Sequence, residues 1–111
     1  MSSASVLSTE KEFDWSNSPG EFLISEQQWD AISKLVDMTP RERQVSGLLL
    51  TGITRDKIAL ELGIAFRTVR FHMEILHEKL HVRTRVDFVL RLIQLRDFVT
   101  SNPSIVEKTK A

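Results

Sequence analysis

The chain has 111 residues, with fifteen Lys and Arg, fifteen Asp and Glu, and no cysteine. This length allows one small domain with tails, and the absence of cysteine excludes disulfides and thiolate metal sites, which fits a reducing cytoplasm. No apolar run approaches the roughly 20 residues that span a bilayer, and the N-terminus lacks the basic flank and apolar core of a secretory signal.

The zero net charge conceals two segments of opposite sign. Residues 39–96 contain eleven Lys and Arg against six acids, a balance of +5. Residues 1–38 contain two lysines against seven acids, a balance of −5. A basic domain joined to an acidic arm is typical of proteins that bind a polyanion such as nucleic acid.

Residues 1–24 are rich in serine and acidic residues, which predicts a largely disordered acidic arm. Two interpretations of the apolar residues in this arm stay open. They pack locally onto the domain, or they form an arm that binds a protein partner or a second copy. The residues concerned are Phe13, Trp15, Phe22, Leu23 and Ile24. At the other end, residues 100–111 are predicted to form a flexible tail.

Two capping boxes mark the first two predicted helices. The run Ser25–Gln28 precedes apolar residues at helical spacing, which predicts an amphipathic helix over 25–37 with Trp29 in the core. The run Thr39–Glu42 has the second box, with Pro40 at the first helical position, where its missing N–H costs nothing. This second motif is interpreted as structural.

A short helix, a glycine-containing turn and a longer helix are predicted between Thr54 and Val82. Thr54 is a candidate cap for the short helix, and Gly63 ends it, because the left-handed conformation at such an end favours glycine. The longer helix is predicted over 66–80. One arc of it should be buried and carries Val69, Met73, Leu76 and Leu80. The opposite arc carries Arg67, Arg70, Phe71, Glu74 and Glu78.

The last helix is predicted to begin at Thr84 and to end near Val99. It has more apolar residues than one buried face requires. Four of them are assigned to the core: Val86, Val89, Leu90 and Ile93. Four others form a second stripe: Phe88, Leu92, Leu95 and Val99. An exposed apolar stripe usually marks association, so this second stripe predicts a homodimer contact, the alternative being that the N-terminal helix covers it.

Between Met38 and about Leu95 the chain contains, in register, Thr39-Pro40-Arg41-Glu42-Arg43, Lys57-Ile58-Ala59, Leu62-Gly63-Ile64, Arg67-Thr68-Val69-Arg70, His72, Leu76, Lys79-Leu80 and Val82-Arg83. These runs resemble the LuxR/FixJ-type helix-turn-helix domain of bacterial transcription regulators. The resemblance implies a four-helix domain whose third helix enters the DNA major groove and whose fourth often forms a dimer contact. This sequence departs from the family at Ala65, which cannot cap the recognition helix.

Roles in DNA binding are predicted from the exposed arc and from the resemblance. Arg70 and Phe71 occupy the positions of the family's base contacts. The phenyl ring of Phe71 contacts a thymine methyl or, alternatively, packs on the aliphatic part of a neighbouring arginine side chain. Glu74 accepts a hydrogen bond from cytosine N4 or holds Arg70 in an ion pair. Phosphate contacts are predicted for Arg67, Thr68, Lys79, Arg83 and Arg85.

The sequence therefore predicts an all-α fold, a compact four-helix helix-turn-helix domain with an additional N-terminal helix, over residues 25–99. No catalytic pairing, metal site or cofactor site is predicted. The expected function is that of a sequence-specific regulator of transcription, which binds double-stranded DNA as a homodimer and does not enter membranes. The alternative is a protein-interaction module in which the helix-turn-helix is a scaffold for another regulator or a polymerase.

Overall fold

The computed structural model describes residues 13–16, 20 and 23–103, and this part of the chain is all-α. Its five helices are α1 (Glu26–Leu35), α2 (Pro40–Leu50), α3 (Arg55–Leu62), α4 (Phe66–Leu80) and α5 (Arg85–Ser101). The predicted fold class is thereby confirmed. The predictions for most of the acidic arm, including Phe22, and for residues 104–111 of the tail concern positions outside the described residues.

Side-chain caps fix where four of the helices begin. The hydroxyl of Ser25 accepts from the Gln28 amide at 3.1 Å, and the Gln28 side chain accepts in return from the Ser25 amide. Thr39 and Glu42 make the same reciprocal pair at the start of α2. The hydroxyls of Thr54 and Thr84 cap α3 and α5 by accepting from the amides three residues on. Each satisfies a backbone donor that the helix itself leaves unpaired.

The turn between α3 and α4 depends on Gly63. This residue adopts φ +64°, a left-handed conformation that costs glycine no steric penalty. The chain reverses there, and the amide of Ile64 donates to the Ala59 carbonyl at 3.0 Å. Ile64 packs against the core as a result, so the turn fixes the angle between the two helices.

One core joins all five helices. Its centre lies where α4 packs against α2 and α3, with α5 on the other side of α2 and α4, and α1 packed on α5. The predicted contribution of Trp29 to the core is confirmed, and Leu23 and Ile24 pack there as well. The buried apolar residues are Ile24, Trp29, Ala31, Ile32, Val45, Leu49, Leu50, Ile58, Ala59, Val69, Met73, Leu76, Leu80, Phe88, Leu92 and Val99.

The predicted orientation of α5 was wrong. Phe88 and Leu92 are fully buried, Val99 is buried, and Leu95 packs against the core, so this stripe is not an exposed dimer contact. The opposite stripe faces outward instead: Val86 is 68% exposed and Leu90 is 55% exposed. The physical reason is the packing of α5 against α1, α2 and α4, where the Phe88 ring lies 5.6 Å from that of His77 in α4.

Two polar contacts hold the N-terminal part on α5. The Gln28 side-chain amide donates to the Thr100 hydroxyl at 3.0 Å. The Arg96 guanidinium donates to the Leu23 carbonyl at 3.2 Å. Further toward the N-terminus, Phe13 and Trp15 make an edge-to-face ring contact with centroids 4.5 Å apart, and both remain mostly exposed. Local packing therefore holds for Leu23 and Ile24 but not for this aromatic pair.

Candidate nucleic-acid interface

Helix α4 has one buried face and one free face. Val69 and Leu76 are fully buried, and Met73 and Leu80 are nearly so, which confirms the predicted stripe. These residues contact α2 and α3 on one side and α5 on the other. With its inner face fixed in this way, the helix cannot rotate about its own axis without opening the core. The outer face is therefore presented in a defined orientation.

The free face of α4 carries the three side chains predicted to contact bases. Arg70, Phe71 and Glu74 are all exposed, and Phe71 leaves 58% of its surface in contact with solvent. Within the described residues Arg70 and Glu74 form no ion pair, so the structure does not support the alternative that Glu74 holds Arg70 in place. The ring of Phe71 lies 6.0 Å from that of His72 and is otherwise open on its outer side.

A guanidinium, a phenyl ring and a carboxylate on one exposed helical face form a chemically mixed surface. An exposed phenyl ring gains free energy when it is covered, at roughly 25 cal/mol per Å² of apolar surface removed from water. Together the three groups provide paired N–H donors, an apolar ring surface and a hydrogen-bond acceptor. These are the chemical types that distinguish base pairs along the major groove.

Three of the five predicted phosphate contacts are accessible. Arg67 lies on the exposed side of the first turn of α4, and Thr68 follows it with a half-buried side chain. Arg83 is exposed in the loop between α4 and α5. Within the described residues neither arginine forms an ion pair, so both charges are available to a ligand.

Lys79 is held by the protein itself. Its ammonium donates to Glu42 Oε1 at 2.7 Å and to the Asp37 carbonyl, and Glu42 is almost fully buried. Burial alone would raise the pKa of Glu42, but donation by Lys79 and by the Thr39 amide outweighs burial and lowers it. The role of Lys79 is therefore corrected from a phosphate contact to an internal ion pair. The sequence prediction missed this pair because Glu42 lies 37 residues away in the chain.

Arg85 is also partly engaged. Its guanidinium donates to the Leu49 carbonyl at 2.8 Å, which connects the start of α5 to the end of α2. Burial lowers the pKa of Arg85, and the nearby charge of Arg55 lowers it further. Of its five N–H donors, this contact uses one, so the phosphate role predicted for Arg85 stays a prediction.

Sequence reasoning did not single out Arg55. This residue opens α3 and is exposed, and its charge acts on both Arg85 and the half-buried His77. The available signal was its place as the first residue of the helix that precedes the recognition helix. In helix-turn-helix proteins that helix crosses the DNA backbone.

The described residues provide no other evident chemistry. They contain no group of three or more His, Asp or Glu side chains arranged to hold a metal ion. Among them, no helix combines the length and apolar character needed to cross a bilayer.

Comparison with known proteins places this architecture in a family. Residues 36–92, which include α2, α3, α4 and the first half of α5, match the family model described as bacterial regulatory proteins, luxR family. Helix α1 lies before the matched segment.

Individual relatives agree with this match. The chain is 36% identical over 80 residues to the HTH-type transcriptional regulator MalT of Yersinia enterocolitica, and 35% identical over 80 residues to MalT of Yersinia pestis. Each match covers 69% of this chain but only 9% of the relative, so the chain spans a small part of those proteins' length. No solved structure shows a significant match. On the family match and the helix-turn-helix geometry together, the chain belongs to the luxR family of bacterial regulatory proteins.

Proposed function

We propose that this chain is a sequence-specific DNA-binding regulator of transcription that places α4 in the major groove. The observation that carries the proposal is the two-sided character of α4, whose inner face is locked into the core while Arg70, Phe71 and Glu74 are exposed together. Membership of the luxR family supports it, and the matched relatives are named as transcriptional regulators.

Each exposed group on α4 has a base-edge partner of matching chemistry. Arg70 donates two guanidinium N–H groups to guanine O6 and N7, and Phe71 covers the methyl group of a thymine. Glu74 accepts from the amino group of cytosine. Because a carboxylate is repelled by phosphate, Glu74 contributes discrimination between bases rather than general affinity.

Contacts to the DNA backbone come from exposed groups beside the recognition face. Arg67 and Thr68 lie in the first turn of α4 and Arg83 lies just after its end, so they flank the base-contacting residues. Their role is to hold the register of α4 along the groove and to supply the salt-dependent part of the affinity.

The outer face of α5 is proposed as the homodimer contact. Val86 and Leu90 are exposed there, and Ile93 is half-buried on the same side of the helix. A second copy of α5 related by a two-fold axis presents the same surface, so Val86 and Leu90 of one copy lie against apolar side chains of the other. This outer face is the part of α5 that remains exposed, because the opposite face packs against α1, α2 and α4.

Binding of the purified full chain to duplex DNA tests the proposal. The chain should bind random duplex at low salt and prefer a selected site at higher salt, while the variant with Arg67→Ala and Arg70→Ala should lose the preference and much of the affinity. Lys34→Ala, which removes an exposed charge from α1, is the control and should bind as the wild type does. A wild-type chain that binds no duplex at low salt would contradict the proposal and favour the protein-interaction alternative.

A further inference from the structure

A groove of about 650 Å³ lies between α1, α2 and the end of α3. Its lining includes Trp29 and Ser33 of α1, Leu48 of α2 and Leu62 of α3. Protein sites for small organic molecules have volumes of about 300–1,000 Å³, a mostly apolar lining and a few polar groups. None of the residues assigned above to DNA contacts lines this groove, so it is free for a different ligand.

Gly47 leaves part of this groove without a side chain. It lies in the interior of α2 and lines the groove, and a Cβ atom added there would meet no atom within 4 Å. Glycine inside a helix costs free energy relative to alanine, and no close packing in the described residues requires it at this position. The bare backbone allows a flat ligand to approach α2 more closely than any side chain would.

The Ser33 hydroxyl has an unmet hydrogen bond at the wall of the groove. Its Oγ is buried and has no hydrogen-bond partner in the part of the chain that the structure describes. Burial of a hydroxyl without a partner costs free energy, because its hydrogen bonds to water are lost. A change of rotamer about the Cα–Cβ bond turns this oxygen toward the groove, where an N–H or O–H group of a ligand satisfies it.

The rim of the groove is acidic. Arg43 is bound there by two carboxylates, Glu26 at 2.6 Å and Asp30 at 2.5 Å. Glu61 lines the groove as well, and among the described residues it forms no ion pair. Three carboxylates against one guanidinium leave the rim negative, although residues 39–96 as a whole carry +5. Positively charged ligands are therefore attracted to this groove, and nucleic-acid phosphates are repelled from it.

We propose that this groove binds a small organic cation with a flat apolar body. The body lies over the Gly47 backbone, a polar hydrogen of the ligand meets Ser33, and the positive charge lies at Glu61. Helix α1, which supplies Trp29 and Ser33, lies before the segment 36–92 that matches the family, so one wall of the site lies outside the shared domain. The site is independent of the proposed function, because binding of such a cation requires no DNA.

Amide NMR spectra of the full chain, titrated with tryptamine and separately with tryptophol, test this site. The two probes share an indole ring with one N–H donor, and they differ in that tryptamine has an ammonium group where tryptophol has a hydroxyl. We expect saturable shifts of the Ser33, Gly47 and Leu62 amides with both probes. Tryptamine should bind roughly two- to five-fold more tightly, which corresponds to one exposed ion pair. The absence of saturable shifts at these amides with tryptamine would overturn the proposal.

Variants of the full chain locate the binding. Gly47→Leu fills the space above α2 and should abolish the saturable shifts with both probes, and leucine favours the helix more than glycine does. Glu61→Gln should weaken binding of tryptamine roughly two- to five-fold and leave binding of tryptophol unchanged. Glu78→Gln removes an exposed carboxylate of α4 outside the groove and is the control, which should bind both probes as the wild type does. Wild-type affinity in Gly47→Leu, or an equal loss with both probes in Glu61→Gln, would contradict the proposed site.

Discussion

Lys79 Nζ lies 2.7 Å from Glu42 Oε1, which ties the last turn of the recognition helix to the first turn of α2. The same ammonium donates to the Asp37 carbonyl, at a residue with the left-handed value φ +58° that turns the chain from α1 into α2. One lysine therefore joins three segments. Glu42 Oε1 also accepts from the Thr39 amide in the capping box of α2, and the ion pair therefore connects α4 to the capped start of α2.

Breaking this ion pair should destabilise the domain. Glu42→Gln leaves Lys79 partly buried beside a neutral group, and we expect the free energy of unfolding to fall by about 1–3 kcal/mol. Glu26→Gln is the matched control, because Glu26 pairs with Arg43 at the surface, where such pairs contribute at most about 1 kcal/mol. Urea denaturation measures both. An equal loss of unfolding free energy in the two variants would show that the Lys79–Glu42 pair contributes no more to stability than the surface pair.

Acidification should destabilise the domain through His77. Burial lowers the pKa of this residue, and the charge of Arg55 lowers it further; its Nε2 is buried with no hydrogen-bond partner in the described residues. The unfolded chain therefore binds a proton near pH 6.5 that the folded chain resists, so stability is lost as pH falls below about 6.5, by at most about 1.4 kcal/mol per unit.

Substitution identifies the residue responsible for this pH dependence. His77→Leu should flatten the free energy of unfolding between pH 7.5 and pH 5.5 compared with the wild type, since no proton uptake remains at this position. His81→Asn is the control, because His81 is exposed and its left-handed backbone tolerates asparagine. Persistence of the wild-type slope in His77→Leu would assign the effect to another group.

Gly20 should not tolerate a side chain. It is buried, and a Cβ atom added there would clash with the Leu50 carbonyl oxygen, a backbone atom that cannot move aside cheaply. Gly20→Ala should cost about 1–3 kcal/mol of unfolding free energy. Gly47→Ala is the opposite control, because added atoms meet nothing within 4 Å and alanine favours the helix by about 0.5–1 kcal/mol. Gly20→Ala with wild-type stability would mean that this contact is absent in solution.

The outer face of α5 should control assembly without affecting the fold. Leu90 is 55% exposed, so Leu90→Glu should change the unfolding free energy of the monomer by less than about 0.5 kcal/mol. It should nevertheless convert the proposed dimer to a monomer in sedimentation equilibrium. Leu60→Glu, at an even more exposed leucine on α3, should leave the assembly state unchanged. A dimer that survives Leu90→Glu would place the contact elsewhere.

The faces of α4 were predictable from the sequence, whereas those of α5 were not. In α4 the large apolar residues are concentrated on one arc, so only one orientation buries Val69, Met73 and Leu76. In α5 apolar residues surround most of the helix, and period alone does not choose between Phe88 and Leu90. The choice depends on tertiary packing against α1, α2 and α4, of which α1 lies outside the family match.

The roles of charged residues were likewise predictable where they depend on local helix position and not where they depend on tertiary contacts. The exposure of Arg70 followed from its position on α4, but the capture of Lys79 depended on a carboxylate 37 residues away in the chain. Similarly, the bond from Arg85 to the Leu49 carbonyl joins helices that only the tertiary fold brings together. Helix caps were predictable because they are local: Ser25, Thr39, Thr54 and Thr84 all cap as expected.

Selection of binding sites from random duplexes, with the wild type and with Arg70→Ala in parallel, tests the central claim most directly. If α4 reads the major groove, the wild type should select a short inverted repeat, and Arg70→Ala should lose the preference at one guanine of each half-site at a cost of about 1–3 kcal/mol there. Unaltered preference in Arg70→Ala, or the absence of any selected sequence, would contradict it.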